Sequence, residues 1–218
     1  MKTALVFGSS GLVGGHLLSQ LIKDTNYSKI KLFVRSEPEI NDPKVEIIKT
    51  DFNNLENHKE DIKGDDCFFC IGTTKQNSPD KNEYKRVELE VPKQIAQIAK
   101  SNSVNSFVFV SSGYADPKSS GDYLKFKGEV EEELKRLNFP KLGIMRPSFL
   151  LGDRKEKRVG EKIGIFVFKL LSPLFLGPLK KMKPIHSANV AKVMIAITQN
   201  KVSQTIFESD EIVNLSSS

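Results

Sequence analysis

Features that would steer a chain toward metal binding, secretion or membrane insertion are scarce here. The 218 residues hold two cysteines, Cys67 and Cys70, inside the apolar stretch DDCFFCIG. No second Cys/His cluster completes a zinc site. Three apart on an expected strand, the two thiols point to opposite faces and are read as small core residues, with a CxxC redox pair as the alternative. No segment approaches the roughly 18 uninterrupted apolar residues of a membrane span, so no integral span is expected. The opening MKTALVFGSSG enters a strand and a glycine turn at once. That leaves no room for a signal peptide, and the expectation is a cytoplasmic protein. Repeats, linkers and low-complexity tracts are also missing apart from a terminal run of three serines. Residues 1–218 are therefore expected to form one domain.

A protein-wide charge surface is missing too. The net charge is +6 and the isoelectric point about 9.1, yet residues 153–183 carry the whole excess, with nine Lys/Arg against three acids. The remaining 24 basic and 24 acidic residues cancel. One local cationic segment suits an anionic ligand better than a nucleic acid. No aromatic stacking surface or reading motif accompanies it, so no nucleic-acid partner is expected.

What is present is alternation. Short apolar runs at 2–7, 30–34, 45–48, 67–71, 106–110 and 142–145 read as strands. Helical spacing marks 12–22, 83–101, 122–137 and 187–198, the last with Ser187 as cap. Pro92 should kink the third-listed pattern's predecessor or mark its true first turn. A final strand is placed at 205–207. Strands alternating with helices argue for an α/β fold, a doubly wound parallel sheet covered on both faces, with 147–218 as a small C-terminal substrate or lid region.

The first strand ends in Gly8-Ser-Ser10-Gly11-Leu12-Val13-Gly14 and leads straight into a helix. Gly8 permits a tight turn, Gly11 lets backbone approach a pyrophosphate, and Gly14 lets helix and strand pack closely. The helix N-terminus offers free N–H groups to the anion. This context is that of a Rossmann NAD(P)-binding unit. The second strand runs into Arg35-Ser36, a guanidinium and a hydroxyl suited to a 2′-phosphate. NADP(H) is expected; Glu37, placed for a ribose 2′-hydroxyl, keeps NAD(H) as the alternative. Asp51 and Phe52 after the third strand, and Ile71, Gly72 and Thr73 around the end of the fourth, are further candidates. They follow from topology, since ligands lie beyond the carboxyl ends of parallel strands.

The fifth strand ends in Ser111-Ser112, and Tyr123 and Lys127 lie four apart on one face of the next helix. An ammonium near a phenol favours the phenolate. Such a tyrosine passes a proton to or from a carbonyl oxygen, while a strand-end serine holds that oxygen. YxxxK alone is commonplace; after the glycine turn and the Ser-Ser strand end it is specific.

The stretches GSSGLVGGHLL, FVR, CIGTT, FVFVSSGYAD, YLKFKGEVEEEL and MRPSFLLGDRKEKR together resemble the short-chain dehydrogenase/reductase superfamily. Among its small atypical members, the chain is similar to the Tat-interacting protein reductase family. The resemblance covers nearly the whole sequence. It implies NADP(H) binding, Tyr123 and Lys127 as the catalytic pair, and Ser111 or Ser112 as the hydroxyl that orients substrate, with register favouring Ser112. Many superfamily members carry an Asn in the long middle helix that supports a water chain to the lysine. Here Glu88 stands near that place and no Asn does, which leaves a cofactor-sensing interaction protein as the alternative to a reductase.

In the C-terminal third, Arg154 and Arg158 are candidates for cofactor phosphates or an anionic substrate. The apolar 163–176 run, beside Lys180, Lys181 and Lys183, is read as core or pocket lid, with a dimer face or membrane surface as alternatives. His16, His58 and His186 are read as structural. The expected partner is a small carbonyl or alcohol substrate, and both monomer and homodimer remain open.

Overall fold

The computed structural model describes residues 1–152, 184–202 and 204–217. The expectations for Arg154, Arg158, the 163–176 run and the lysines at 180, 181 and 183 lie outside the described residues.

Among the described residues, nine strands and six α-helices follow the apolar runs. They are β1 (Lys2–Phe7), α1 (Leu12–Lys23), β2 (Tyr27–Val34), β3 (Val45–Lys49), β4 (Asp66–Phe69) and α2 (Lys81–Lys85). A π-helical turn, Arg86–Glu90, leads into α3 (Val91–Ser101), followed by β5 (Ser106–Val110), α4 (Asp122–Leu137) and β6 (Lys141–Arg146). After β7 (Leu150–Leu151) and β8 (Ile185–His186) come α5 (Ser187–Thr198), β9 (Ile206–Glu208) and α6 (Ser209–Ser217). Seven strands form one sheet in the order β3-β2-β1-β4-β5-β6-β9, parallel at every pairing. This is the doubly wound arrangement, whose order reverses at β1.

Alternation along the strands feeds two cores. Val6, Ile30, Leu32, Phe68, Val108 and Met145 pack with α1 and α5 on one face. Leu5, Phe7, Phe33, Phe69, Phe107 and Phe109 pack with α3 and α4 on the other. There Phe7 stacks on Phe33 with ring centroids 4.3 Å apart, so Phe7→Ala would cost about 3–5 kcal/mol. Cys67 joins the second core and Cys70 packs against the first, the opposite faces their spacing requires. Both thiols are free. Burial pushes Cys67 well up and Cys70 up to about 12, which suits inert core residues rather than a redox pair.

Four expectations need correction. β2 begins at Tyr27, three residues early, because Tyr27 is itself buried and hydrogen-bonded. β4 ends at Phe69, so residues 70–72 leave the sheet as a loop against Gly8. Helix α5 is capped by His186, whose Nδ1 accepts from the Ala188 N–H at 3.3 Å, while Ser187 is buried and donates to the Leu151 carbonyl. The last described residues, for which no element was expected, form α6. Pro92 sits in the first turn of α3, directly after the π-helical turn. The wider turn before it brings the consecutive residues Glu88 and Leu89 both inside.

Candidate active site

The crevice at the point of strand reversal lies between the end of β1 and the loop after β4. Gly8 has φ +90°, and a Cβ there would sit 2.7 Å from the Cys70 carbonyl carbon and the Ile71 nitrogen. At Gly14 a Cβ would lie 2.1 Å from the Gly8 carbonyl oxygen. Neither position admits a side chain. Gly11 is the N-cap of α1 and supplies no side-chain cap. The N–H groups of Leu12, Val13 and Gly14 in the first turn therefore have no helical carbonyl within reach, and Ser10 beside them is exposed. A turn stripped of side chains and a helix end with free donors fit a dinucleotide pyrophosphate.

Beyond β2, Arg35 and Ser36 are exposed. Asp51 follows β3, its carboxyl held below the usual range by the Asn53 backbone N–H and amide. Phe52, at φ +62°, is buried. A residue the sequence reading passed over joins them. Arg86 donates to the Phe52 carbonyl at 3.0 Å and forks onto Glu83 at 2.7 and 2.8 Å. The Arg86 hydrogen bond, opposed by burial and aided by Arg35, keeps the Glu83 carboxyl below its ordinary value. The Glu83/Arg86 spacing of three on a helix was the available sign.

On the far side of the crevice, Tyr123, Lys127 and Glu131 follow one another at intervals of four along one face of α4. Tyr123 is 39% exposed and Lys127 only 3%. The Lys127 Nζ lies 5.9 Å from the Tyr123 ring centroid and 4.9 Å from that of Phe109. Glu88 faces it, Oε2 to Nζ 3.0 Å. Burial would lower the lysine, but Glu88, with Tyr123 and Glu131, more than offsets it and the net shift is upward. Gly72 borders this pair, a Cβ there falling 3.9 Å from Nζ. Thr73 donates its N–H to Glu88 Oε1. Of the two serines, Ser111 is buried and donates to Glu131 Oε1 at 2.5 Å. Ser112 is half-buried, and its hydroxyl donates to the Gly113 carbonyl at 3.3 Å.

Glu131 and Arg146 were also missed as site residues. Arg146 Nε and Nη2 fork onto Glu131 at 3.0 and 2.5 Å, and Nη2 reaches the Ala115 carbonyl. With Nη1 3.4 Å from Glu208, Arg146 ties the ends of β5, β6 and β9 to α4. His58, read as structural, pairs with Asp61 at 3.0 Å; His186 caps α5.

No group of three or more His, Cys, Asp or Glu among the described residues has the spacing to hold a metal ion. No helix among them is long and apolar enough to cross a membrane.

Comparison with known proteins agrees with this geometry. The NAD(P)H-binding family matches residues 8–201. "Protein FMP52-1, mitochondrial" of Scheffersomyces stipitis is 32% identical over 206 residues, 90% of this chain and 88% of that protein. "Protein HTATIP2" of Rattus norvegicus is 34% identical over 166 residues, 73% and 67% of the two chains. Among solved structures, the Bordetella bronchiseptica enzyme WbmH in complex with NAD+ superposes with a TM-score of 0.73 at 16% identity, covering 100% of this chain and 80% of that one. Vestitone reductase from alfalfa gives 0.65 at 14% identity, covering 95% and 76%. These two show the shared fold. The expectation of a cytoplasmic protein is overturned, because FMP52 relatives from several yeasts are named mitochondrial. With a family match across most of its length, the glycine turn it requires and relatives of 32–34% identity, the chain belongs to the NAD(P)H-binding family and is similar to the FMP52 and HTATIP2 proteins.

Proposed function

We propose that the protein is an NADP(H)-dependent oxidoreductase moving a hydride to or from a small carbonyl or alcohol, with Tyr123 as acid–base. The observation that carries this is the pairing of a half-open phenol with a buried ammonium at the mouth of the dinucleotide crevice. When bound, the nicotinamide supplies or accepts the hydride. Gly8, Gly11 and Gly14 leave room for the pyrophosphate, and the first-turn N–H groups of α1 bind it. Arg35 and Ser36 meet the 2′-phosphate, with Asp51 and Phe52 flanking the adenine. Lys127 holds its ammonium 5.9 Å from the Tyr123 ring centroid, and the phenol gives its proton to a carbonyl oxygen and regains it from solvent. Ser112 holds the substrate oxygen, because Ser111 is committed to Glu131. The names of the FMP52 relatives make mitochondria the compartment in which to seek the substrate.

The test is Tyr123→Phe, compared with wild type for NADPH affinity by nicotinamide fluorescence and for turnover on a carbonyl panel. The expected result is unchanged affinity with turnover reduced about a thousandfold. Persistent turnover would remove Tyr123 from the chemistry. Cofactor binding with no turnover in wild type would leave the sensing alternative standing.

A further inference from the structure

Glu88 is a fully enclosed carboxylate of the crevice, and its two oxygens face two different parts of the site. Its exposure is 1%. Oε2 lies 3.0 Å from the Lys127 ammonium. Oε1 accepts the Thr73 N–H at 2.5 Å, in the loop that packs its Cys70–Ile71 backbone against Gly8. The π-helical turn at Arg86–Glu90 is what delivers the carboxylate there. The wider turn, with about 4.4 residues instead of 3.6, shifts the phase of the helix at this point, and both Glu88 and Leu89 are buried.

Resting on the reductase reading above, we propose that Glu88 is a positioning residue that locks the lysine of the acid–base pair and the loop under the middle of the cofactor into one unit. With one oxygen it holds the Lys127 charge beneath Tyr123; with the other it fixes the Thr73 backbone where the dinucleotide passes. A buried charge pair is often no more stable than an apolar pair of the same size, so stability alone gives little reason to place one here. The bond to a backbone N–H outside its own helix gives the carboxylate a task that a simple neutralising partner would lack.

The two arms are separable. Glu88→Gln keeps an acceptor for Thr73 and removes the charge facing Lys127. It is expected to bind NADPH within about threefold of wild type while kcat on phenanthrenequinone falls about tenfold or more with KM unchanged, the signature of an interaction expressed in the transition state. The loop arm is read in two neutralised variants that leave no unpaired buried charge. Glu88→Gln with Lys127→Met retains the Thr73 acceptor, and Glu88→Met with Lys127→Met does not. The second is expected to bind NADPH about fivefold or more weakly than the first, at similar melting temperatures. Equal NADPH affinity in the two double variants, or wild-type kcat in Glu88→Gln, would overturn the proposal. Failure of the wild-type protein to reduce the quinone would instead strike the reductase reading, and the NADPH comparison would still decide the loop arm.

Discussion

The molecule contains an ammonium, a phenol and a carboxylate grouped together twice, at opposite ends of its sheet. At the floor, Lys2, Tyr27 and Asp66 meet at the amino ends of β1, β2 and β4. The Lys2 Nζ lies 2.9 Å from Asp66 and 6.0 Å from the Tyr27 ring centroid. At the crevice, Lys127 is 3.0 Å from Glu88 and 5.9 Å from the Tyr123 ring centroid. The distances nearly coincide, but the allocation is opposite. On the floor the phenol donates to the acid at 2.7 Å, meets Thr198 at 2.8 Å and is 1% exposed, while the lysine side chain is 31% exposed. In the crevice the acid and lysine are buried and the phenol is open. Burial followed by the Asp66 charge pushes the Tyr27 phenol far above its usual value. The floor set is a clasp joining β1, β2 and β4 to the end of α5; only the other set leaves a proton where a ligand can take it.

The widest separation between the two sets should appear in catalysis. Tyr123→Phe is expected to remove about three orders of magnitude of turnover, whereas Tyr27→Phe should leave turnover unchanged; a loss in both would dissolve the distinction. Stability should separate them in the same direction, by a smaller margin. Glu88→Leu strands a buried ammonium and should cost about 3–5 kcal/mol in urea unfolding. Asp66→Asn, whose lysine partner reaches water, should cost about 1–2 kcal/mol. Cofactor selectivity belongs to the crevice alone. Arg35→Ala should weaken NADPH about tenfold to a hundredfold and leave NADH untouched, and equal weakening of both would move the 2′-phosphate elsewhere.

The smallest effect concerns alkali. Folding raises Tyr27, Tyr84 and Cys67, with Tyr84 and Cys70 each at about 12. Below the unfolded values, about 8.5 for a thiol and 10 for a phenol, both states keep their protons and stability is full. Above them the unfolded chain ionises first, so stability should fall as pH climbs from about 9 toward 12. Tyr27→Phe should shallow that fall, and an unchanged alkaline slope would show that the floor clasp does not govern it.

Apolar runs made the strands legible, because a parallel sheet buried on both faces leaves little choice of residue. The glycine turn was legible because Gly8 and Gly14 have no steric alternative. Tyr123 and Lys127 could be picked out by spacing and placement. Glu131 and Arg146 could not, since each gains meaning from a partner distant in sequence; Arg86 had a sign in Glu83 three residues away, but its bond to the Phe52 carbonyl exists only in the fold. Glu88 was noticed for standing where an Asn was expected, but no helical periodicity foretells a π-helical turn. Tyr27 escaped for the converse reason, a polar-tipped aromatic whose hydroxyl is satisfied only after β1, β4 and α5 converge.

The short pair β7 and β8 has a consequence of another kind. Leu150 aligns with Ile185 and Leu151 with His186, in register and parallel. The chain thus departs from the sheet and rejoins it through one stitch, next to Leu12 and Ser187, which crowd Gly152. Once two ends are sewn together, lengthening what runs between them costs only about 0.6 kcal/mol for each doubling. Length added between those two ends is therefore a small burden on the nucleotide-binding sheet beside them.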